Sequence, residues 1–202
     1  MSKKNTTPGR KPNRKELRRQ QLEREKRMRA LRLWVPIGVL VAALAAFILY
    51  RALEPEVEGA VFVEAAIANQ HDPDLQIEFG GLPPTGGPHN PTWQNCGVYT
   101  DPVQPEYAIH SMEHGAVWVT YHPDLAPDQV AALQDAVQGQ SYVLLSPYPD
   151  QSNDVVLTAW DVQLQLDSAA DDRIQEFINK YRRSRGPEAG ATCSGGIGTP
   201  LG

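Results

Sequence analysis

Three residues within one helical turn could do chemistry together: His110, Glu113 and His114, in the run His110-Ser111-Met112-Glu113-His114-Gly115. Neutral imidazole is a common ligand for transition metals, and histidines spaced four apart stand on the same face of a helix. Such a pair can grip one ion. All five histidines of the chain, His71, His89, His110, His114 and His122, fall between positions 71 and 122. The expected metal ligands are His110, His114 and His89, with His71 as a fourth candidate and Glu113 behind them as an orienting partner. Copper and zinc both suit imidazole, and the sequence does not choose between them. A closed set of four protein ligands would serve storage, delivery or structure, whereas an open position would permit hydrolysis.

His110-x-x-Glu113-His114 is also, letter for letter, the inverted zinc-peptidase pattern, in which both histidines bind zinc and the glutamate activates water. That pattern belongs on an interior helix with a distant acidic third ligand. Here Gly115 follows at once and a strand comes next. Ser111 lacks the Gly-x-Ser-x-Gly turn on which a hydrolase nucleophile sits. Enzymatic activity is therefore left open, with Glu113 the catalytic candidate for a zinc-dependent hydrolase. Two readings need no metal: histidines hydrogen-bonded for structure, or a cell-envelope interaction domain that meets a partner through loop aromatics.

These residues need elements to position them. Pro105 suits the first turn of a helix, Glu106 its positive end and Gly115 its stop, which predicts a helix over 105–114. On it Tyr107, His110 and His114 share one face, while Ala108, Ile109 and Met112 pack inward on another. Residues 116–121 are strand formers. Asp124 and Pro127 open a helix with Val130, Leu133 and Val137 on one face, and Gly139 closes it. Residues 142–146 predict a second strand, followed by a turn through Pro147, Asp150 and Asn153. Trp160, Val162, Leu164 and Leu166 then alternate with Asp161, Gln163 and Gln165, the pattern of a strand with one wet face. Ser168 caps a last helix that buries Ile174, Phe177, Ile178 and Tyr181. Upstream, residues 61–67 are ambiguous between helix and strand, and 77–79 suit a short strand. The order predicts an α+β fold: one sheet with helices packed on a face.

Residues 80–100 form a long Gly/Pro-rich loop. Its prolines lack donors and its glycines favour unusual backbone angles, so no regular ladder is expected there. Trp93, Cys96 and Tyr99 predict that it is pinned down. Cys96 and Cys193 are the two cysteines. Outside the cytoplasm a disulfide between them is the first expectation, ahead of metal ligation or free thiols. It would contribute about 4 to 5 kcal/mol on the chain-entropy model and staple the tail, 186–202, to the loop. Little else in that tail would hold it.

Charge is divided sharply along the chain. Residues 1–32 carry 13 of the 19 Lys and Arg but only Glu16, Glu23 and Glu25 among acids, a balance of +10 that leaves −15 for the remainder of a chain whose net charge is −5. Residues 33–50 are uncharged and mostly apolar, and as a helix they rise roughly 27 Å, close to the hydrocarbon thickness of a bilayer. Trp34 and Tyr50 sit where interfacial aromatics belong, and Pro36 falls near the first turn of the span. Basic residues preceding the span place the N-terminus in the cytoplasm and the rest outside. A cleaved signal peptide is the alternative, but its basic and apolar regions would both be unusually long. The expected organisation is a basic cytoplasmic arm (1–32), a single-pass transmembrane helix (33–50), a linker (51–59), an extracytoplasmic α+β domain (60–185) and the tail. Lipid bilayer and an unknown cell-envelope partner are the expected contacts. The basic arm interleaves no base-stacking aromatics, so no nucleic acid is expected.

The motifs Pro83-Pro84-Thr85-Gly86-Gly87-Pro88-His89, Trp93-Gln94-Asn95-Cys96-Gly97-Val98-Tyr99, His110 through Trp118, Leu145-Ser146-Pro147-Tyr148-Pro149, Ala159-Trp160 and a late Cys193 occur in this order. In this the chain resembles the bacterial membrane-anchored family catalogued as domain of unknown function 3105, over roughly residues 60 to 200. The resemblance implies no activity. It implies that His71, His89, His110, His114, Glu113, Cys96 and Cys193 stand at motif positions, and that Met112, often Leu in the family, is core filling rather than a copper thioether ligand.

Overall fold

The first element of the computed structural model, which describes residues 13–64 and 67–201, is one unbroken helix, α1, Arg14–Ala52. The charged stretch and the apolar stretch share it because no breaker stands between them. Pro36 therefore lies in a helix interior rather than at a first turn, where it removes one backbone hydrogen bond. The apolar part has a mean hydropathy of 2.4 over 18 residues and is long and apolar enough to cross a membrane. Met1–Pro55 forms one unit and Glu56–Gly202 the other. The first twelve residues of the basic arm, Ala65 and Ala66 of the ambiguous 61–67 stretch, and Gly202 lie outside the described residues.

In the second unit the elements are β1 (Val61–Phe62), β2 (Gly97–Val98), α2 (Pro105–Glu113), β3 (Val117–Tyr121), α3 (Pro127–Val137), β4 (Val143–Pro147), β5 (Val155–Ala159), β6 (Val162–Leu166) and α4 (Arg173–Tyr181). They make a mixed six-stranded sheet, ordered β1-β6-β5-β3-β4-β2, in an α+β fold. β4 is parallel to both β2 and β3, while β5 is antiparallel to β3 and β6. Alternate residues sort to opposite faces. Val117, Val119, Val143, Leu145, Leu157 and Leu164 pack with Leu133 of α3 and with Ile174, Phe177 and Ile178 of α4. On the other face Trp118, Leu144 and Trp160 pack with Ala108, Ile109 and Met112 of α2. The sheet is thus covered on both faces, and α2 lies on the one that also carries the Gly/Pro loop.

Several local expectations are corrected. Residues 77–79 form no strand; Ile77 and Phe79 pack beside α2, and the Ile77 N–H donates to Glu106. The 80–100 loop does enter the ladder at its end, through β2, because Gly97 and Val98 lie beyond the last proline. β5 was not anticipated: Val155-Val156-Leu157 is buried on both sides and shows no alternation. Trp160 and Asp161 are the hairpin turn between β5 and β6, with Asp161 at φ 62°. Gln163 is buried rather than wet, since its amide donates to the Pro83 carbonyl and to Thr158. Ser168 accepts the Ala170 N–H in a local turn, and α4 starts at Arg173, whose N–H donates to Asp171.

The tail is held by far more than Cys193. The Asn95 and Leu201 N–H groups donate to Ile197 and Val98, Ile197 N–H donates to Trp93, and the Asn95 amide reaches the Gly198 carbonyl at 2.8 Å. Cys96 and Cys193 form the expected disulfide, with Cα atoms 5.4 Å apart.

Candidate metal centre

α2 begins with Pro105 and ends when Gly115 adopts φ 98°, a left-handed angle that glycine alone takes without cost. A side chain at Gly115 would also press on the backbone of Arg183, whose N–H donates to the Gly115 carbonyl. His110 and Glu113 are carried on the last turn and His114 caps it. The Gly/Pro loop brings His89, and His71 pairs with it through backbone: His89 N–H donates to Gln70 and Asp72 N–H to His89.

Four side chains converge. One ring nitrogen each from His71, His89 and His110 and one oxygen of Glu113 all lie within 4.8 Å of one another. Nε2 of His89 is 2.9 Å, and Nε2 of His71 3.4 Å, from Oε2 of Glu113. His89 and Glu113 are fully buried and His110 nearly so, while His71 keeps about a third of its side chain in solvent. A second group, His110, His114 and Glu188, meets the same 4.8 Å condition, with Nε2 of His114 3.5 Å from Oε2 of Glu188. His110 belongs to both. His122, the fifth histidine, stands apart and accepts the Asp124 N–H.

The backbone fixes which nitrogen each ring offers. Nδ1 of His89 donates to the Gly87 carbonyl at 2.8 Å, that of His110 to Asn90 at 2.8 Å, and that of His114 to Thr192 at 2.6 Å. A carbonyl only accepts, so Nδ1 carries the proton and Nε2 of each neutral ring presents a lone pair. His89 faces two acceptors, Gly87 and Glu113, and a neutral ring has one proton to offer them. A cation near Nε2 would satisfy the second.

Charge and burial act together here. Burial pushes the Glu113 carboxyl pKa up, but the Asn69 N–H, donating at 2.9 Å to Oε1, and the rings of His89 and His71 more than offset it and hold the pKa below the usual value. Burial pulls the His110 ring pKa below its ordinary value; the Asn90 carbonyl opposes this, and the neighbouring His114, His89 and His71 reinforce it. Both residues are thus biased toward the forms that bind metal. Ser111 is fully buried and donates to the carbonyls of Gln94 and Tyr107, so it packs the helix rather than offering a nucleophile.

Residues 70–195 match the family described as Protein of unknown function (DUF3105). The chain belongs to that family. The DUF3105 match opens one residue before His71 and closes two after Cys193, so both histidine groups, Glu188 and the disulfide fall inside it. Among curated proteins and among solved structures, none matches.

Glu113 is not behind the histidines, as the spacing suggested; its oxygen stands among their nitrogens. His114 sits with Glu188 rather than with His89 and His71. Glu188 was missed. Its one signal is that it is the only charged residue after Arg185. Trp93 packs against both rings of the second group, its ring centroid 5.7 Å from that of His110 and 5.0 Å from that of His114.

Proposed function

We propose that the domain binds one transition-metal ion, copper or zinc, through His71, His89, His110 and Glu113, for storage, delivery or structure. The observation that carries this reading is the convergence of these groups within 4.8 Å while the Nδ1 atoms of His89 and His110 are tied to backbone carbonyls. Ligands about 2 Å from a tetrahedral ion stand about 3.3 Å apart, so binding requires only side-chain contraction. The hydrolase alternative has less support. Glu113 already accepts from Asn69 and faces two imidazoles, which leaves no free oxygen to activate water, and burial of His89, His110 and Glu113 leaves a peptide little access. In this reading α1 spans the membrane once with its basic end in the cytoplasm. The charge asymmetry and the disulfide, a bond that persists in oxidising compartments, both support an outer domain. Reporter fusions at either end of α1 test the orientation.

The deciding experiment is metal analysis of the full chain, purified in detergent without a histidine tag, then loaded with copper or zinc and desalted. About one equivalent is expected, falling sharply in His89→Gln. Less than about a tenth of an equivalent in the wild type refutes the reading.

A further inference from the structure

We infer that His114 and Glu188, with His110, form an entry position from which the ion passes to the buried set. This rests on the metal binding proposed above and adds a second position and an order of events. Each position has its own carboxylate, Glu113 inside and Glu188 outside, and both need His110. With Nδ1 committed to Asn90, His110 has one lone pair, so it can serve only one ion at a time. The positions are therefore alternatives rather than a two-ion centre.

Their exposure sets the direction. Glu188 keeps 43% of its side chain in solvent, whereas Glu113 and His89 have none. The outer position offers three donors with its carboxylate in water; the inner offers four with its carboxylate buried, and meets water only at His71. A hydrated ion can exchange waters at Glu188 and His114 first. His110 then holds it while His89 and Glu113 replace the outer ligands. The step is small, since the rings of His110 and His114 lie 4.6 Å apart and those of His110 and His89 4.9 Å. The ion keeps its charge throughout, so no electron donor is needed. The outer position is held by backbone: Glu188 N–H donates to the Glu113 carbonyl, Gly190 N–H to that of His114, and His114 Nδ1 to Thr192. Trp93 packs edge-on or tilted against both rings, which holds them side by side.

The test uses the full chain in detergent and copper(II) or zinc supplied from a chelator of known affinity. Four proteins are compared: wild type, Glu188→Gln, His89→Gln, and the double variant. Glu188 is exposed and its backbone bond survives substitution, so Glu188→Gln folds. It is expected to load at least about tenfold more slowly while still reaching one equivalent. His89→Gln, where the amide can still donate to Glu113, is expected to bind one ion at the outer position in equilibrium with the chelator but to lose it on desalting, and the double variant to bind none. An unchanged loading rate in Glu188→Gln overturns the inference, as does a residual ion in His89→Gln that is indifferent to Glu188. Should His89→Gln fail to fold by circular dichroism, the loading rate of Glu188→Gln decides alone. A wild type that takes up no metal refutes the earlier reading instead.

Discussion

Replacing Glu113 by Gln separates the two demands on this side chain, filling a buried polar space and supplying negative charge. In the metal-free protein its Oε1 accepts the Asn69 N–H and its Oε2 lies against Nε2 of His89 and His71. Gln keeps the shape. Its carbonyl can still accept from Asn69, and its amide can donate to Nε2 of His89 while Nδ1–H stays on Gly87. Two charge-assisted contacts become neutral ones, roughly halved in strength, at a cost of about 1 to 2 kcal/mol. Glu113→Ala instead leaves a His89 nitrogen buried without its partner and removes the acceptor of the Asn69 N–H, and costs about 1 to 3 kcal/mol for the buried nitrogen on top of the lost packing. Urea denaturation of the full chain in detergent, followed by the fluorescence of buried Trp118 and Trp160, measures both. The sign of the pH dependence gives a second check. Because the folded pKa of Glu113 is held below its ordinary value of 4.5, its carboxylate adds stability above that value and loses it as pH falls through the folded pKa. Gln has no such acid loss. Metal affinity should nevertheless drop in Gln by more than the 10- to 100-fold typical of an outer-shell partner. Equal destabilisation by Gln and Ala, or parallel acid limbs for wild type and Gln, would refute this account of the site.

Three further outcomes follow from the same geometry. Converting both Cys96 and Cys193 to Ser removes a cross-link spanning 97 residues and should lower stability by about 4.7 kcal/mol in urea titrations; a loss under about 1 kcal/mol would refute the chain-entropy account of this cross-link. Gly186→Ala places a side chain at φ 95° against the carbonyls of Met112 and Glu113 and should cost at least about 1 to 2 kcal/mol from the left-handed backbone alone, read as a lower urea midpoint. His122→Ala should leave metal content unchanged in the loading assay, because His122 lies outside both groups; a fall in metal content would place the ion elsewhere.

Much of the scaffold was legible because it rests on local patterns. Pro105 and Gly115 bounded α2 to within a residue, and the three- and four-residue spacings of Ile174, Phe177, Ile178 and Tyr181 marked the buried face of α4. β5 escaped because a strand covered on both faces carries no period. The histidine cluster was visible as composition, but its division was not: that His114 turns toward Glu188 while His71 and His89 turn toward Glu113 depends on where the tail runs. The tail's course is set by hydrogen bonds from Asn95 and Trp93 a hundred residues away, and such partners leave no mark in local spacing.

The short length of α2 links these features. Had the helix continued, as the inverted peptidase pattern requires, the carbonyls of Glu113 and His114 would accept from the N–H groups of Val117 and Trp118. Instead Val117 N–H donates to Tyr142 in the approach to the sheet, and those carbonyls accept from Glu188 and Gly190. Stopping the helix at Gly115 thus creates the two rungs on which the tail docks. The tail then supplies a carbonyl that orients His114 and a carboxylate that faces it. The same three residues that resemble a peptidase signature are, at a helix end, divided between two positions. A substitution that prolonged α2 past Gly115 would therefore displace Glu188 and Thr192 together, and with them the outer group, while leaving His71, His89 and Glu113 on their own supports.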